Sequence, residues 1–223
     1  MPPREFAEFE IVSDNLHGAA GGWLFVRSLV LRNRATDGSV SAHYTCDFVV
    51  RPVGIDAVVV VLHHRDVHGR VQVLLRRGLR PALALGRSAS VLPIPDDAQG
   101  PWTTELVAGI VEAGDRGEDG VRRRAAIEAA EEAGFTVDPA DVAFLGAGTF
   151  PTPGSMPEKY WLVHAAVDPA TQHAAHGDGS PLEHHAETWW CELDQAIADC
   201  VAGRIVDAKT ELALRRLRDV TAP

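Results

Sequence analysis

The chain has 223 residues, 46% hydrophobic and 23% charged, which suits one globular domain or one domain with a small extension. Its net charge of −10 argues against nucleic acid as the main partner, because phosphate contacts need clustered Lys and Arg. A small phosphorylated substrate stays open, since a bound divalent cation reverses the local field.

The start, MPPREFAEFE, is polar and acidic and carries no signal-peptide pattern. The longest apolar run, from Ile55 to His63, is too short to span a bilayer and reads as a buried strand, so no membrane partner is expected. Cys46, Cys191 and Cys200 are odd in number and widely spaced, which suggests isolated reduced thiols in a cytoplasmic protein.

Taken in chain order, the expected strands are Glu8 to Val12, Gly22 to Arg32, Ser41 to Arg51, Ala57 to His64 and Val71 to Arg76, separated by turn clusters. Arg80 to Gly100 reads as a long loop of Pro, Ala, Ser and Asp. A strand follows from Glu105 to Val111, then a glycine-bearing loop to Gly117. A helix from about Glu118 to Ala133 is stopped by Gly134. Strands at Val142 to Phe150 and Tyr160 to Val167 precede a His- and Gly-rich loop, Asp168 to His185. A strand at Thr188 to Glu192 leads into helices Asp194 to Ala202 and Asp207 to Val220. The sum is an α/β or α+β layer architecture with a mixed sheet. In this reading residues 1–52 form an N-terminal β-strand extension and 53–223 the main domain.

Glu128, Glu131 and Glu132 share one face at the end of the helix expected over 118–133. Like charges there repel, and they sit at the negative end of the helix dipole. A solvated acidic face is the bland alternative. A hard cation with oxygen ligands, such as Mg²⁺, would justify the arrangement. An apolar strand, a Gly-bearing loop and a terminal glycine frame the helix as a strand–loop–helix able to hold a metal and a diphosphate.

The stretch from Gly109 to Phe135 resembles the Nudix box: a glycine, five residues, an acid, seven residues, then R-E-x-x-E-E-x-G and an apolar residue. Gly109, Asp115, Glu128, Glu131, Glu132, Gly134 and Phe135 match it. Two departures stand out. Asp115 and Glu128 are four residues further apart than in the pattern, about one helical turn. Ile127 stands where the pattern has arginine, so Arg123 or Arg124 is expected to orient the glutamates in its place, and Glu118 competes with Asp115 as the first acid. Outside the box, Pro101-Trp102 with Glu105 to Gly109, Thr152-Pro153-Gly154 with Glu158, Gly203 to Thr210, and Leu74 to Pro81 are similar, in order, to elements of the ADP-ribose pyrophosphatase subgroup.

The resemblance implies a Nudix-type α/β/α sandwich and hydrolysis of a nucleoside-diphosphate sugar, ADP-ribose first, with Mg²⁺ (Mn²⁺ substituting) as cofactor. It implies Glu128, Glu131, Glu132 and the carbonyl of Ala108 as metal ligands, with Glu131 also catalytic. Arg76 and Arg80 are expected at the diphosphate; Glu105, Gly109, Gly154 and Glu158 are further substrate-side candidates. The general base is sought in the loop before Thr188, in Glu183 or Glu187. Trp102, Trp189 and Trp190 are expected in core or interface, and the histidines at 173, 176, 184 and 185 in a solvated loop. A homodimer through the N-terminal strands is also implied. Two alternatives stay open: another sugar nucleotide such as GDP-mannose, UDP-glucose or ADP-glucose, and a Nudix-fold sensor that binds without cleaving.

Overall fold

The structure is a computed structural model and describes residues 5–88, 90, 92–94, 100–177, 179–183 and 186–222; of Glu183 it describes the backbone alone. His184 and His185, and parts of the expected loop from Arg80 to Gly100, lie outside the described residues. Ten strands and four α-helices are found among those described. No described helix is long and apolar enough to cross a membrane.

The main sheet is ordered β10-β5-β4-β9-β8: β10 (Thr188–Glu192), β5 (Val71–Leu79), β4 (Ala57–Arg65), β9 (Tyr160–Ala166) and β8 (Ala143–Phe144). β4 and β9 run parallel; the other pairs are antiparallel. β4 is apolar on both faces because both are covered. Its even-numbered residues Val58, Val60 and Leu62 pack with α2 (Gly117–Ala133). Its odd-numbered Val59 and Val61 pack with α3 (Leu193–Val201) and α4 (Ala208–Thr221). The result is the expected α/β/α sandwich.

Several expected elements come out differently; the first strand, expected over Glu8 to Val12, runs over Phe6–His17. The strand expected over Glu105 to Val111 starts earlier and breaks. β6 (Trp102–Glu105) pairs with β5, and β7 (Val107–Ile110) pairs with β4. Since β4 and β5 pair only through residues 63–65 and 71–73, they splay beyond that point, and the chain crosses from one to the other at Leu106. The strand expected over Val142 to Phe150 shrinks to β8 plus an isolated bridge at Thr149, because Gly146 takes a positive φ of 89° and turns the chain out of the ladder. Within the expected 80–100 loop, α1 (Pro81–Leu85) is a short helix with proline at its first turn.

The N-terminal extension forms a separate antiparallel sheet, β1 (Phe6–His17), β2 (Phe25–Ala35) and β3 (Tyr44–Val50). Phe6, Phe9, Ile11, Val12 and Leu16 of β1 stay exposed.

At the far end of β4 and β9, Nε2 of His63 lies 3.0 Å from Nδ1 of His164. Burial lowers the pKa of both. His63 falls from 6.5 to about 4, with His164, Arg65 and His64 adding repulsion against a second positive charge. As pH drops from 6.5 towards 4, the unfolded chain takes up this proton before the folded one does, so stability is lost across that window. The urea midpoint of the wild type is expected to fall there, and His63→Gln to remove part of that slope. Identical pH profiles for the two proteins would mean that His63 is not held neutral by the fold.

Candidate active site

Helix α2 opens on Gly117, whose φ of 64° redirects the chain, and lies close to the sheet because its buried face is small: Gly120, Val121, Ala125, Ala129 and Ala133 recur every four residues or so. It ends at Gly134 in the left-handed region, φ 71°, and the N–H of Phe135 donates to the Ala129 carbonyl at 3.0 Å. The loop that follows β9 seats itself on this helix end. His173 N–H donates to the Gly134 carbonyl and Gly177 N–H to the Glu131 carbonyl, both at 2.9 Å, and Gln172 Nε2 donates to the Ala133 carbonyl at 3.0 Å. These donors satisfy carbonyls that a helix terminus leaves without partners. Residues 172–177 are therefore tethered to the helix end, while the His173 and His176 side chains stay exposed, as expected for a solvated loop. With Arg76, Glu131, Glu132 and Thr188 they line a cavity of about 490 Å³, which His173 and His176 border.

The three expected glutamates differ in setting. Glu132 is buried; one oxygen pairs with Arg76 and the other accepts from Ala108 N–H at 3.0 Å. Burial raises its pKa to about 8, outweighing the lowering by Arg76 and the Ala108 N–H, while Glu128 and Glu105 push the same way as burial. Glu128 is half-buried and reaches over Gly109, where any Cβ would strike its carboxylate. Glu131 is half-buried at the cavity wall. Among the described residues no three acidic, His or Cys side chains enclose a point as a finished cage. The donor set nevertheless fits a hard cation. All of its side chains offer oxygen, Gly109 leaves the space that Glu128 occupies, and the buried Glu132 lacks enough positive partners to keep its charged form favoured.

Ile127 is exposed, but Arg124 sits on the glutamate face one turn before Glu128. Its Nε lies 2.9 Å from Asp115, one Nη 3.2 Å from Glu112 and the other 3.9 Å from Glu128. Asp115 also accepts from the Glu112 N–H at 3.0 Å. Arg123 instead borders a separate groove with Phe144, Lys159 and Trp161. Glu118 is exposed in the first helical turn and pairs with Arg122, so Asp115 is the acid held beside the glutamates.

Arg76 is buried and engaged by Glu132, with Glu105 at 3.9 Å; it braces a glutamate from inside the sheet. Arg80 stays partly exposed while its inner side is fixed by Glu105 at 2.6 Å. Glu105 is wholly buried and also receives Lys209 at 3.1 Å; a Cβ on Gly78 would collide with its carboxylate. The segment Asp207-Ala208-Lys209-Thr210 explains itself here. Asp207 caps α4 by accepting from Thr210 N–H at 3.1 Å, and the Thr210 hydroxyl accepts from Leu106 N–H at 3.0 Å, where β6 gives way to β7. Lys209 is thus an internal partner of Glu105 and not a surface lysine.

Other candidates lie further out. Gly154 is exposed in the loop before β9. Glu158 is buried and paired with Arg51, whose guanidinium also stacks 5.7 Å from the Trp23 ring centre, tying the N-terminal sheet to that loop. Glu187 is exposed, 4.0 Å from Arg77; its neighbours Ala186 and Thr188 line the cavity and Glu187 does not. The turn bearing Glu183 follows Ser180, which does line it. Trp190 packs edge-on to Phe135 and His64, and Trp102 carries Arg77 at 4.6 Å; Trp189 is partly exposed. Sequence reasoning missed Arg51 and Gln172, which carry no local signal.

A strand–loop–helix with this glutamate terminus coincides with a family match: the family model described as NUDIX domain covers residues 55–211. The chain belongs to the Nudix family. Its Nudix domain is similar to the ADP-ribose pyrophosphatase of Haemophilus influenzae, 31% identical over 115 residues, covering 47% of this chain and 50% of that protein. It is also similar to the ADP-ribose pyrophosphatase of Escherichia coli K12, 30% identical over 128 residues and 55% of each. The chain spans about half the length of these curated relatives. A solved structure titled as an ADP compounds hydrolase superposes with a TM-score of 0.66 over 97% of this chain and 96% of its own, at 16% identity, which supports the shared Nudix fold.

Proposed function

We propose that this Nudix protein hydrolyses the diphosphate bond of a nucleoside-diphosphate sugar, with ADP-ribose, giving AMP and ribose 5-phosphate, as the first candidate. The observation that carries the reading is the set Glu128, Glu131 and Glu132 at the end of α2, with Gly109 leaving room for one carboxylate. These residues and the Ala108 carbonyl would hold Mg²⁺, or Mn²⁺ in its place. Such an ion activates water and neutralises phosphate oxygens when bound. The similarity to curated ADP-ribose pyrophosphatases supports the choice of substrate.

The chain's own residues then have distinct tasks. Glu105 fixes Arg80 with part of its guanidinium facing outward, suited to a diphosphate oxygen. Arg76 holds Glu132 in place. The base is assigned to the loop carrying Glu183 and Glu187, with Glu183 preferred because Glu187 is already bound to the sheet, its carbonyl accepting from the Arg77 N–H at 2.8 Å. Glu158 contributes by holding Arg51 beside the loop that contains Gly154. We also propose a homodimer through the N-terminal sheet, supported by the exposed apolar side chains of β1.

The test is a panel: ADP-ribose, ADP-glucose, GDP-mannose, UDP-glucose and diadenosine polyphosphates with Mg²⁺, following nucleoside monophosphate release. Turnover is expected, greatest for ADP-ribose, and Glu183→Gln is expected to slow it more than Glu187→Gln. Saturable binding without turnover of any member would make the protein a sensor and overturn the reading.

A further inference from the structure

Only two of the 21 Lys and Arg residues are lysines. Lys209 is the internal partner of Glu105. Lys159, just before β9, opens instead on a groove of about 1220 Å³ between the first turns of α2 and the edge strand β8. Its ammonium lies 4.7 Å from the centre of the Phe150 ring and 5.1 Å from that of Trp161, so two aromatic rings hold it. Gly148 makes the room: a Cβ there would stand 2.7 Å from the Lys159 stem and 3.0 Å from the Trp161 ring. Asp56, which fixes the backbone here, is already engaged. Its two oxygens accept the Lys159 N–H at 3.2 Å and the Trp161 indole N–H at 2.9 Å. The acids of the groove wall are engaged as well. Arg122, whose guanidinium lies 5.1 Å over Phe144, takes Glu118 at 3.1 Å and Asp119 at 3.2 Å. Among the described residues Arg123 and Lys159 form no ion pair. Three bases and two acids therefore line the groove, which is net positive in a chain of net charge −10. Among the described residues none lines both this groove and the cavity at the glutamate end of α2.

The geometry points to a second nucleotide site: a nucleoside monophosphate sets its base on the aromatic floor of Phe144 and Trp161 and its phosphate on Lys159, with Arg123 adding charge. Each half of such a ligand answers one half of the groove. An aromatic surface takes a planar base whatever its sequence of donors and acceptors. An ammonium is a compact point charge with three donors, suited to phosphate oxygens. The two cations without acidic partners are too few for a nucleic-acid backbone, whose affinity grows with the number of phosphates neutralised. An acidic peptide would use the cations and leave the aromatic floor uncovered. The site does not depend on the glutamates or on turnover, since it lies on other residues.

The two lysines make the test direct. Acetylation of the folded protein by a water-soluble acetyl ester, read by peptide mass spectrometry, reports Lys159 and Lys209 separately. Lys209, beside the Glu105 that holds Arg80, reports the other site. In the wild type AMP is expected to slow acetylation of Lys159 several-fold, saturably and without Mg²⁺. Adenosine and inorganic phosphate each carry half of the ligand and are expected to protect Lys159 only at much higher concentrations. Arg123→Gln is expected to raise the half-protecting AMP concentration several-fold, and Trp161→Leu to raise it towards that of inorganic phosphate. Trp161→Phe keeps a ring and retains most of the affinity. Absence of protection by AMP overturns the inference. Inorganic phosphate as effective as AMP makes the groove a simple anion site, and adenosine as effective as AMP leaves Lys159 without a phosphate; either overturns it. A poly-glutamate peptide that protects at lower concentration than AMP makes the groove a peptide site and also overturns it. These comparisons need the wild type alone, so they decide even where a variant does not fold. Where the variants fold, wild-type protection in both Arg123→Gln and Trp161→Leu overturns the assignment. Protection of Lys159 that disappears in Arg80→Gln comes from AMP at the other site and overturns it too.

Discussion

Glu132→Gln is expected to leave the protein folded and to lower kcat by about 1,000-fold, since a metal's charge stabilisation is worth several kcal/mol and each factor of ten corresponds to about 1.4 kcal/mol. Glutamine keeps the shape of the side chain and one carbonyl acceptor, so either the Ala108 N–H or the Arg76 guanidinium retains a partner. Burial already pushes the Glu132 carboxyl towards its neutral form, which a carboxamide imitates. The variant's Tm without metal is therefore expected to stay within a few degrees of wild type. The separation comes when Mg²⁺ is added. A ligand that binds only the folded state stabilises it by RT ln(1 + [L]/Kd) and so raises Tm. Wild type is expected to gain Tm with Mg²⁺ and Glu132→Gln to gain little. Full activity in the variant, or an equal Mg²⁺-dependent Tm rise, would place the metal elsewhere.

The glutamates were legible because their evidence is local. Glu128, Glu131 and Glu132 lie within five residues, and a helix period with a terminal glycine is enough to bring them to one face. β4 and β9 were legible for a related reason: strands covered on both sides are written as mainly apolar segments, here Ala57 to Leu62 followed by His63 to Arg65, and Tyr160 to Ala166 interrupted at His164. What the sequence could not show depends on distant parts of the chain. The break at Leu106 exists because β4 and β5 diverge and because Thr210, 104 residues away, accepts the Leu106 N–H. Arg51 and Glu158 are 107 residues apart and share no periodic pattern. The choice between Arg123 and Arg124 needed the helix phase relative to the loop, which the four additional residues had obscured. The tethering of residues 172–177 to the helix end was not legible, because it comes from helix-end carbonyls, which have no sequence signature; the exposure of His173 and His176 was.

Glu105→Ala carries the largest expected effect on stability. Glu105 is wholly buried and holds Arg80 at 2.6 Å and Lys209 at 3.1 Å, with Arg76 at 3.9 Å. Arg76 has a second partner in Glu132, and Lys209 has Asp207 at 2.8 Å, so each keeps one carboxylate after the change. Arg80 loses the carboxylate that both its Nε and Nη2 use. Three cations then converge on a space without their shared anion. Removing one partner of a buried ion pair typically costs about 3–5 kcal/mol, because charge is left without compensation in a dry environment. At about 2–4 °C per kcal/mol for a chain of this size, Tm is expected to fall by about 10 °C. Glu105→Gln keeps the shape and some acceptor capacity but not the charge, and is expected to fall between the two. Activity separates the packing role from the binding role. An Arg80 that has lost its anchor still carries its charge but must be ordered by the substrate, so KM for ADP-ribose is expected to rise more than kcat falls. Differential scanning calorimetry and steady-state kinetics on the two variants check both statements. An unchanged Tm would show that water enters to solvate the three cations, and an unchanged KM with reduced Tm would remove Arg80 from the diphosphate site while leaving Glu105 as a keystone of the sheet.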